Sequence, residues 1–289
     1  MSHTRAVMLI ALSLVAVVVV CASFLRFSSR ATAVGDAVRA PTTVLSRVRD
    51  TRVIRAGYFV SRPLVELAPG AEKPTGFGID VLQRIAAQSG LKVEYQAITF
   101  STMLAALDTG AIDVVAVPVA ESPQRALSAA FTEPILVSGL SYICRKEDAR
   151  FNDESDLDQP GVRIAVTGGA SSHEYAALHL NKSKINILTG VESSRTLLEV
   201  VSGNADAAIS TVASCYYFVR EHPELRQVAA EKPFYQCGTG FVVPRGNTDW
   251  LNFLNSSLRH LHTTGVIAEL DRKYNPDGRY WRLVNHLDP

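Results

Sequence analysis

Past an apolar N-terminal stretch, short β-branched runs alternate with longer segments in which apolar residues recur at helical spacing, the pattern of α/β architecture with βαβ crossovers. Residues 53–58 read as a strand, 79–89 as an amphipathic helix stopped by Gly90, and 92–95 as the next strand. The cycle repeats with a helix over 100–108, Gly110 as its stop, and a strand over 112–117. A strand over 135–143 then leads into a polar, acidic surface link at 145–159. A second cycle follows: strand 162–166, a turn at Gly168-Gly169, helix 172–180, strand 185–188, helix 194–202 and strand 207–210. Residues 240–244 return to strand and 250–261 to helix. No short repeat occurs, but the run Gly110, Ala111, Ile112, Asp113 is echoed by Gly203, Asn204, Ala205, Asp206, each after an apolar helix end and before a strand. Two similar lobes are implied.

Residues 6–25 carry no charge and follow Arg5, so they are membrane-inserting material: an export signal or an anchor. The run is long enough to span a bilayer, while Ala31-Thr32-Ala33 offers a small-x-small cleavage pattern, and both fates stay open. A one-sided apolar run at the terminus has no polar face for a soluble core helix. Cys21 follows Val20, where lipoprotein processing wants a small residue, and reads as an apolar member of the segment. The expected division is 1–33 as signal or anchor, 34–51 as linker, 52–139 with 240–289 as lobe one, and 140–239 as lobe two, all beyond about Val34 lying outside the cytoplasmic membrane.

Composition narrows the function. The chain has 289 residues, 47% of them hydrophobic, which suits one large or two small cored units and excludes disorder as the dominant state. With 29 Lys+Arg against 28 Asp+Glu and no long basic run, nucleic-acid binding driven by gross charge is excluded. The four cysteines form no C-x-x-C or Cys/His pattern, so no metal and no cofactor is expected. Gly168-Gly169 is not followed by a phosphate-loop signature, which leaves a nucleotide site without support. The seven histidines lie apart; His3, His260 and His262 read as terminal or surface residues, His173 and His179 as a solvated helix face, and Ser171 beside His173 lacks a third orienting group.

Several local patterns carry a family resemblance: Thr75-Gly76-Phe77-Gly78-Ile79-Asp80, Gly110-Ala111-Ile112-Asp113, and Ser122-Pro123-Gln124-Arg125 followed by Phe131-Thr132-Glu133-Pro134. The mature chain resembles bacterial extracellular solute-binding proteins of family 3, the polar amino-acid-binding class with the two-lobed type II periplasmic-binding-protein fold. Asp158-Gln159-Pro160-Gly161, Gly168-Gly169 and His222-Pro223-Glu224-Leu225 look closest to its cyclohexadienyl dehydratase branch. The resemblance implies a ligand cleft between lobes, two interlobe crossings near 138–142 and 238–241, and a small carboxylate or amino-acid-like ligand passed to the permease of an ABC-type importer. It also puts Arg125 at the carboxylate-binding position, where a planar guanidinium fork matches a carboxylate. Ser122 opens that motif, Gly169, Ala170 and Ser171 form a strand-to-helix turn whose N–H groups suit an anion, and Phe100 matches a stacking aromatic. Tyr58 and Phe59 are candidates for the same wall.

The departures matter as much. Thr211 stands where amino-acid receptors of the class carry an aspartate for the ligand's ammonium, and a hydroxyl does not neutralise a buried cation. The ligand is thus expected to lack a free α-ammonium, unless Glu121 or Glu133 supplies the charge. Pro118 and Ala120 thin the usual polar contacts. The dehydratase pattern carries an aspartate and a glutamate at the positions of Thr211 and Ser214, and neither hydroxyl is the general acid that a prephenate or arogenate dehydratase needs. The enzyme therefore ranks behind the receptor, and a sensing domain on an uncleaved anchor ranks third. Cys144 and Cys237, each beside an expected crossing, form a candidate disulfide, with Cys215 as a buried odd thiol.

Overall fold

The structure, a computed structural model of the chain, describes residues 43–190 and 192–284. The expected signal or anchor at 6–25, the Ala31-Thr32-Ala33 pattern, Cys21 and His3 lie outside the described residues. Among the described residues no helix is long and apolar enough to cross a membrane.

Lobe one begins with α1 (Val44–Thr51), inside the stretch expected to be a linker. Its eight residues form a helix because Thr43 caps the start, Arg52 takes the left-handed conformation at the end, and Val48 is buried. Then come β1 (Val53–Tyr58), α2 (Phe77–Gln88), β2 (Lys92–Ala97), a short turn of helix at Phe100–Thr102 running into α3 (Met103–Asp108), β3 (Val114–Ala120), α4 (Pro123–Ala126) and β4 (Ala129–Phe131). The long strand β5 (Leu136–Arg145) leads to lobe two: β6 (Arg163–Thr167), α5 (Ser171–His179), β7 (Lys184–Leu188), α6 (Ser193–Val201), β8 (Ala207–Thr211), α7 (Val212–Glu221) and β9 (Leu225–Val228). The second long strand, β10 (Phe234–Pro244), returns to lobe one, which α8 (Thr248–Thr263), α9 (Val266–Tyr274) and β11 (Trp281–Leu283) complete.

One sheet path runs through both lobes in the order β2-β1-β3-β10-β5-β8-β6-β7, with β4 on β10 and β9 and β11 on β5. The antiparallel pair β5 and β10 is its centre, with Leu136 opposite Thr239, Ser138 opposite Cys237 and Leu140 opposite Phe234. The change of core falls within these strands. Leu136 and Phe241 belong to a cluster with Ile54, Phe77, Leu82, Val115 and Trp250, whereas Leu140 and Phe234 pack with Tyr142, Phe151, Ile164 and Tyr175. In lobe two the strand period of two separates two clusters: Tyr142, Ile164 and Ile209 face one side, and Ile143, Ala165 and Ala208 the other, where Leu197, Cys215 and Phe218 cover them.

The echoed aspartates do the same work in each lobe. Asp113 accepts the backbone N–H of Arg55 at 2.7 Å and its guanidinium at 2.8 Å, with Arg47 also paired to it. Asp206 accepts the backbone N–H of Arg163 at 2.9 Å and its side chain at 3.1 Å, and also meets Arg145 and Arg150. Each carboxylate thereby ties the start of its lobe's first strand to the strand that follows it. The glycines of the Thr75-Gly76-Phe77-Gly78 motif have an equally direct cause. Gly76 has φ of 128°, and a Cβ on Gly78 would lie 2.2 Å from the Ala116 carbonyl oxygen, so α2 rests on β3 through bare backbone.

The expected disulfide is not formed. Cys237 stands opposite Ser138, whereas Cys144 pairs with Ala207 and Arg226, ~20 Å further along β5 at ~3.4 Å per residue. A disulfide needs Cα atoms within about 7 Å, and all three described cysteines are free. Cys144 and Cys215 are fully buried, and burial pushes the Cys215 thiol up to about 12.

Candidate functional site

A cleft opens between the lobes at the level of the β5 and β10 crossing. Phe59, Phe100, residues 117–120 and Arg125 line it from lobe one, and Thr167, Ala170, Ser171, Ser172 and Thr211 from lobe two. The central strands contribute Ser138, Cys237 and Thr239 to its floor, beside Tyr280 and Trp281.

Arg125 is fixed by the short helix that carries it. Ser122 caps α4 by accepting the Arg125 N–H at 3.4 Å, and Pro123 occupies the first helical position, where its missing N–H costs nothing. The Arg125 residue is 6% exposed. Its guanidinium donates to the Ala120 carbonyl at 2.5 Å and, across the cleft, to the Gly169 carbonyl at 2.8 Å, and pairs with Glu174 at 3.1 Å. It also lies 5.7 Å from the Phe100 ring centroid. The buried Nε donates to nothing. Burial lowers the guanidinium from its ordinary value, opposed by the Glu174 carboxylate.

The facing turn differs in detail from the expected anion cradle. The Gly169 N–H donates to His173 Nδ1 at 3.1 Å and that of Ala170 to the Thr167 carbonyl at 3.1 Å, so both are already used. His173 thus braces the turn and is not merely a solvated residue. Ala170 holds the capping position of α5 without a side-chain hydrogen bond, which leaves the N–H groups of Ser171 and Ser172, in the first helical turn, as the donors facing the cleft.

Among the remaining expected residues, Phe59 lies against the edge of Phe100 at 5.6 Å and faces the cleft with it. Tyr58 does not reach the cleft; strand alternation turns it into the lobe one core, edge-on to Tyr95 at 6.3 Å. Ser122 acts through its cap and is not part of the lining. Thr211 lines the cleft as the cap of α7, accepting the Ser214 N–H at 3.2 Å and donating to the Ser214 hydroxyl at 2.9 Å, so the pair standing at the dehydratase acid positions bond to each other. Glu121 is exposed and Glu133 pairs with Arg259 and Asn255, and neither lines the cleft. The carboxylates at the cleft are Glu174, paired with Arg125, and Glu192, in the lining; neither stands out in the sequence, because a glutamate at or near a helix start looks like an ordinary solvated residue. Among the described residues no group of three or more His, Cys, Asp or Glu side chains is arranged to hold a metal.

Chemically, the cleft offers a buried guanidinium, free helix-start N–H groups, several hydroxyls and an aromatic wall. That set is chemically suited to a small anion-bearing solute. Comparison with known proteins agrees with this geometry. The chain is 26% identical over 189 residues to the cyclohexadienyl dehydratase of Pseudomonas aeruginosa, covering 63% of this chain and 70% of that one. It is 23% identical over 231 residues to the L-cystine-binding protein of Escherichia coli, covering 80% and 85%. The crystal structure of an ancestral amino acid-binding protein, a precursor of cyclohexadienyl dehydratase, superposes with a TM-score of 0.71 at 27% identity, covering 80% of this chain and 98% of that one. The structural neighbours are two-lobed type II periplasmic amino-acid-binding proteins, the fold class expected from sequence. The model of the family described as bacterial extracellular solute-binding proteins, family 3, matches residues 54–277, and with its cleft between two lobes the chain belongs to that family.

Proposed function

We propose that this protein is the extracytoplasmic receptor of an ABC-type importer, closing its lobes on a small carboxylate or amino-acid-like solute and handing it to a membrane permease. The observation that carries the reading is Arg125: a guanidinium 6% exposed, on the cleft wall, with a buried Nε that still lacks an acceptor. A buried donor without a partner costs about 1–3 kcal/mol, which a ligand oxygen recovers. Ser171 and Ser172 present further donors from lobe two, so one anion bridges both lobes and favours closure. Relatives named for binding cystine and amino acids support the solute class. The apolar residues 6–25 support export to the periplasm or exterior, as a cleaved signal or as an anchor, and the mature N-terminus distinguishes the two.

The test is a thermal-shift panel of amino acids, keto acids and aromatic acids, with prephenate and arogenate assayed for product. A ligand at about a hundred times its Kd adds about 2.7 kcal/mol and raises Tm by several degrees. Stabilisation by one carboxylate class without turnover supports the receptor, and turnover of prephenate or arogenate overturns it.

A further inference from the structure

The charged groups of the cleft do not balance. Arg125 is paired with Glu174 at 3.1 Å, and Arg62, on the same lining, with Glu221 at 2.7 Å. Glu192 also lines the cleft, and its side chain makes no hydrogen bond or ion pair among the described residues. Among the described residues it is therefore the one formal charge in this lining left without a counter-charge. Its position is equally specific. Glu192 stands at the start of α6, where the main cleft meets an adjoining cavity formed by Val60 and Arg62 from one lobe and Leu197 and Tyr217 from the other, and it lines both.

Thr211, which also lines the cleft, spends its hydroxyl on Ser214 and carries no charge. A carboxylate whose field is strengthened by lobe closure attracts a cation far more than a hydroxyl does. Resting on the receptor reading above, we infer that Glu192 is a specificity-determining residue that binds the cationic group of the solute. The solute class is then an extended zwitterion: a carboxylate at Arg125 and an ammonium or guanidinium at the junction with the second cavity. The alternative role of Glu192, favourable placement of a negative charge at a helix N-terminus, acts on stability and leaves solute choice unchanged.

The experiment titrates the full chain with L-lysine, L-arginine, L-glutamine and phenylpyruvate by calorimetry, alongside the emission of Trp281, which lines the cleft. The expected result is that L-lysine or L-arginine binds, that Glu192→Gln raises its Kd by about tenfold or more, and that Glu192→Lys abolishes it. Added salt should weaken that binding less in Glu192→Gln than in the native protein. Glu192 is exposed, so both variants should fold, and an unchanged melting curve checks this for each. Equal cation affinity in Glu192→Gln overturns the inference. If L-glutamine or phenylpyruvate binds through Arg125 while neither cation does, the inference falls and the receptor reading stands. If none of the four binds the native protein, and the wider panel of carboxylates shifts nothing, both fall.

Discussion

Arg125 of lobe one and Glu174 of lobe two meet across the cleft at 3.1 Å, with side chains 6% and 19% exposed. The protein thus carries its own carboxylate on the group proposed to hold the solute's. Breaking so buried a pair without replacement costs several kcal/mol, so on the proposed reading a solute carboxylate would exchange with Glu174. The same pair, with the Gly169 carbonyl, links the two lobes.

Glu174→Gln removes the internal competitor and keeps the shape. Affinity for a carboxylate solute should rise by about tenfold in calorimetry, while scattering from the solute-free protein should show a more open form. Weaker binding in the variant would make Glu174 a support for closure instead of a competitor.

The thiols should divide by exposure. Cys237 is partly exposed on the cleft floor, and Cys144 and Cys215 are buried. Burial raises the Cys237 thiol, opposed by a hydrogen bond with Ser171 and by Arg125, so labelling at neutral pH should be slow. Among these three, a maleimide should mark Cys237 first, and a cleft-bound solute should protect it. A non-reducing peptide map should find no link between Cys144 and Cys237.

Asp206 sets an acid limit on stability. Burial alone would raise its carboxyl, but hydrogen bonds from the Arg163 side chain and backbone and from Arg150 overcome this and hold it at about 2. In the unfolded chain an aspartate titrates near ~3.9, so the contribution is complete above that pH and is lost as pH falls through it toward the folded value. The native Tm should drop over this window. Asp206→Asn should lose about 1–2 kcal/mol at neutral pH, a figure discounted for the partly exposed arginines, and show a shallower fall in acid.

Gly78→Ala tests the seat of α2 on β3. The added methyl would meet the Ala116 carbonyl oxygen at 2.2 Å and Pro118 at 2.8 Å, and backbone does not yield as a flexible side chain does. The expected loss is about 1–3 kcal/mol in denaturant unfolding.

The alternation of strand and helix is legible because each β-branched run and each helix-ending glycine is a local signal. Arg125 is legible because its capping serine and proline precede it within one motif. The misses have physical reasons. Residues 44–51 are short and charged, and their fold depends on burying Val48 and pairing Arg47 with the distant Asp113, just before β3. β3 runs on through Pro118 to Ala120 because the register with β10 shifts there, so the missing donor breaks no regular ladder. α7, absent from the sequence reading, buries an aromatic and apolar face at the lobe junction, with Ala213 in one core and Phe218 in another. Glu174 and Glu192 acquire meaning only when the lobes face each other, and no local pattern records that.

The most direct measurement is a calorimetric titration of the native protein, Arg125→Ala and Arg125→Lys with the carboxylate that stabilises the native protein most. The account predicts that Arg125→Ala weakens binding by about a hundredfold, and that Arg125→Lys, which keeps the charge and loses the planar fork, recovers only part of it. Native-like affinity in a folded Arg125→Ala protein would contradict the claim that this cleft is built around a carboxylate anchor.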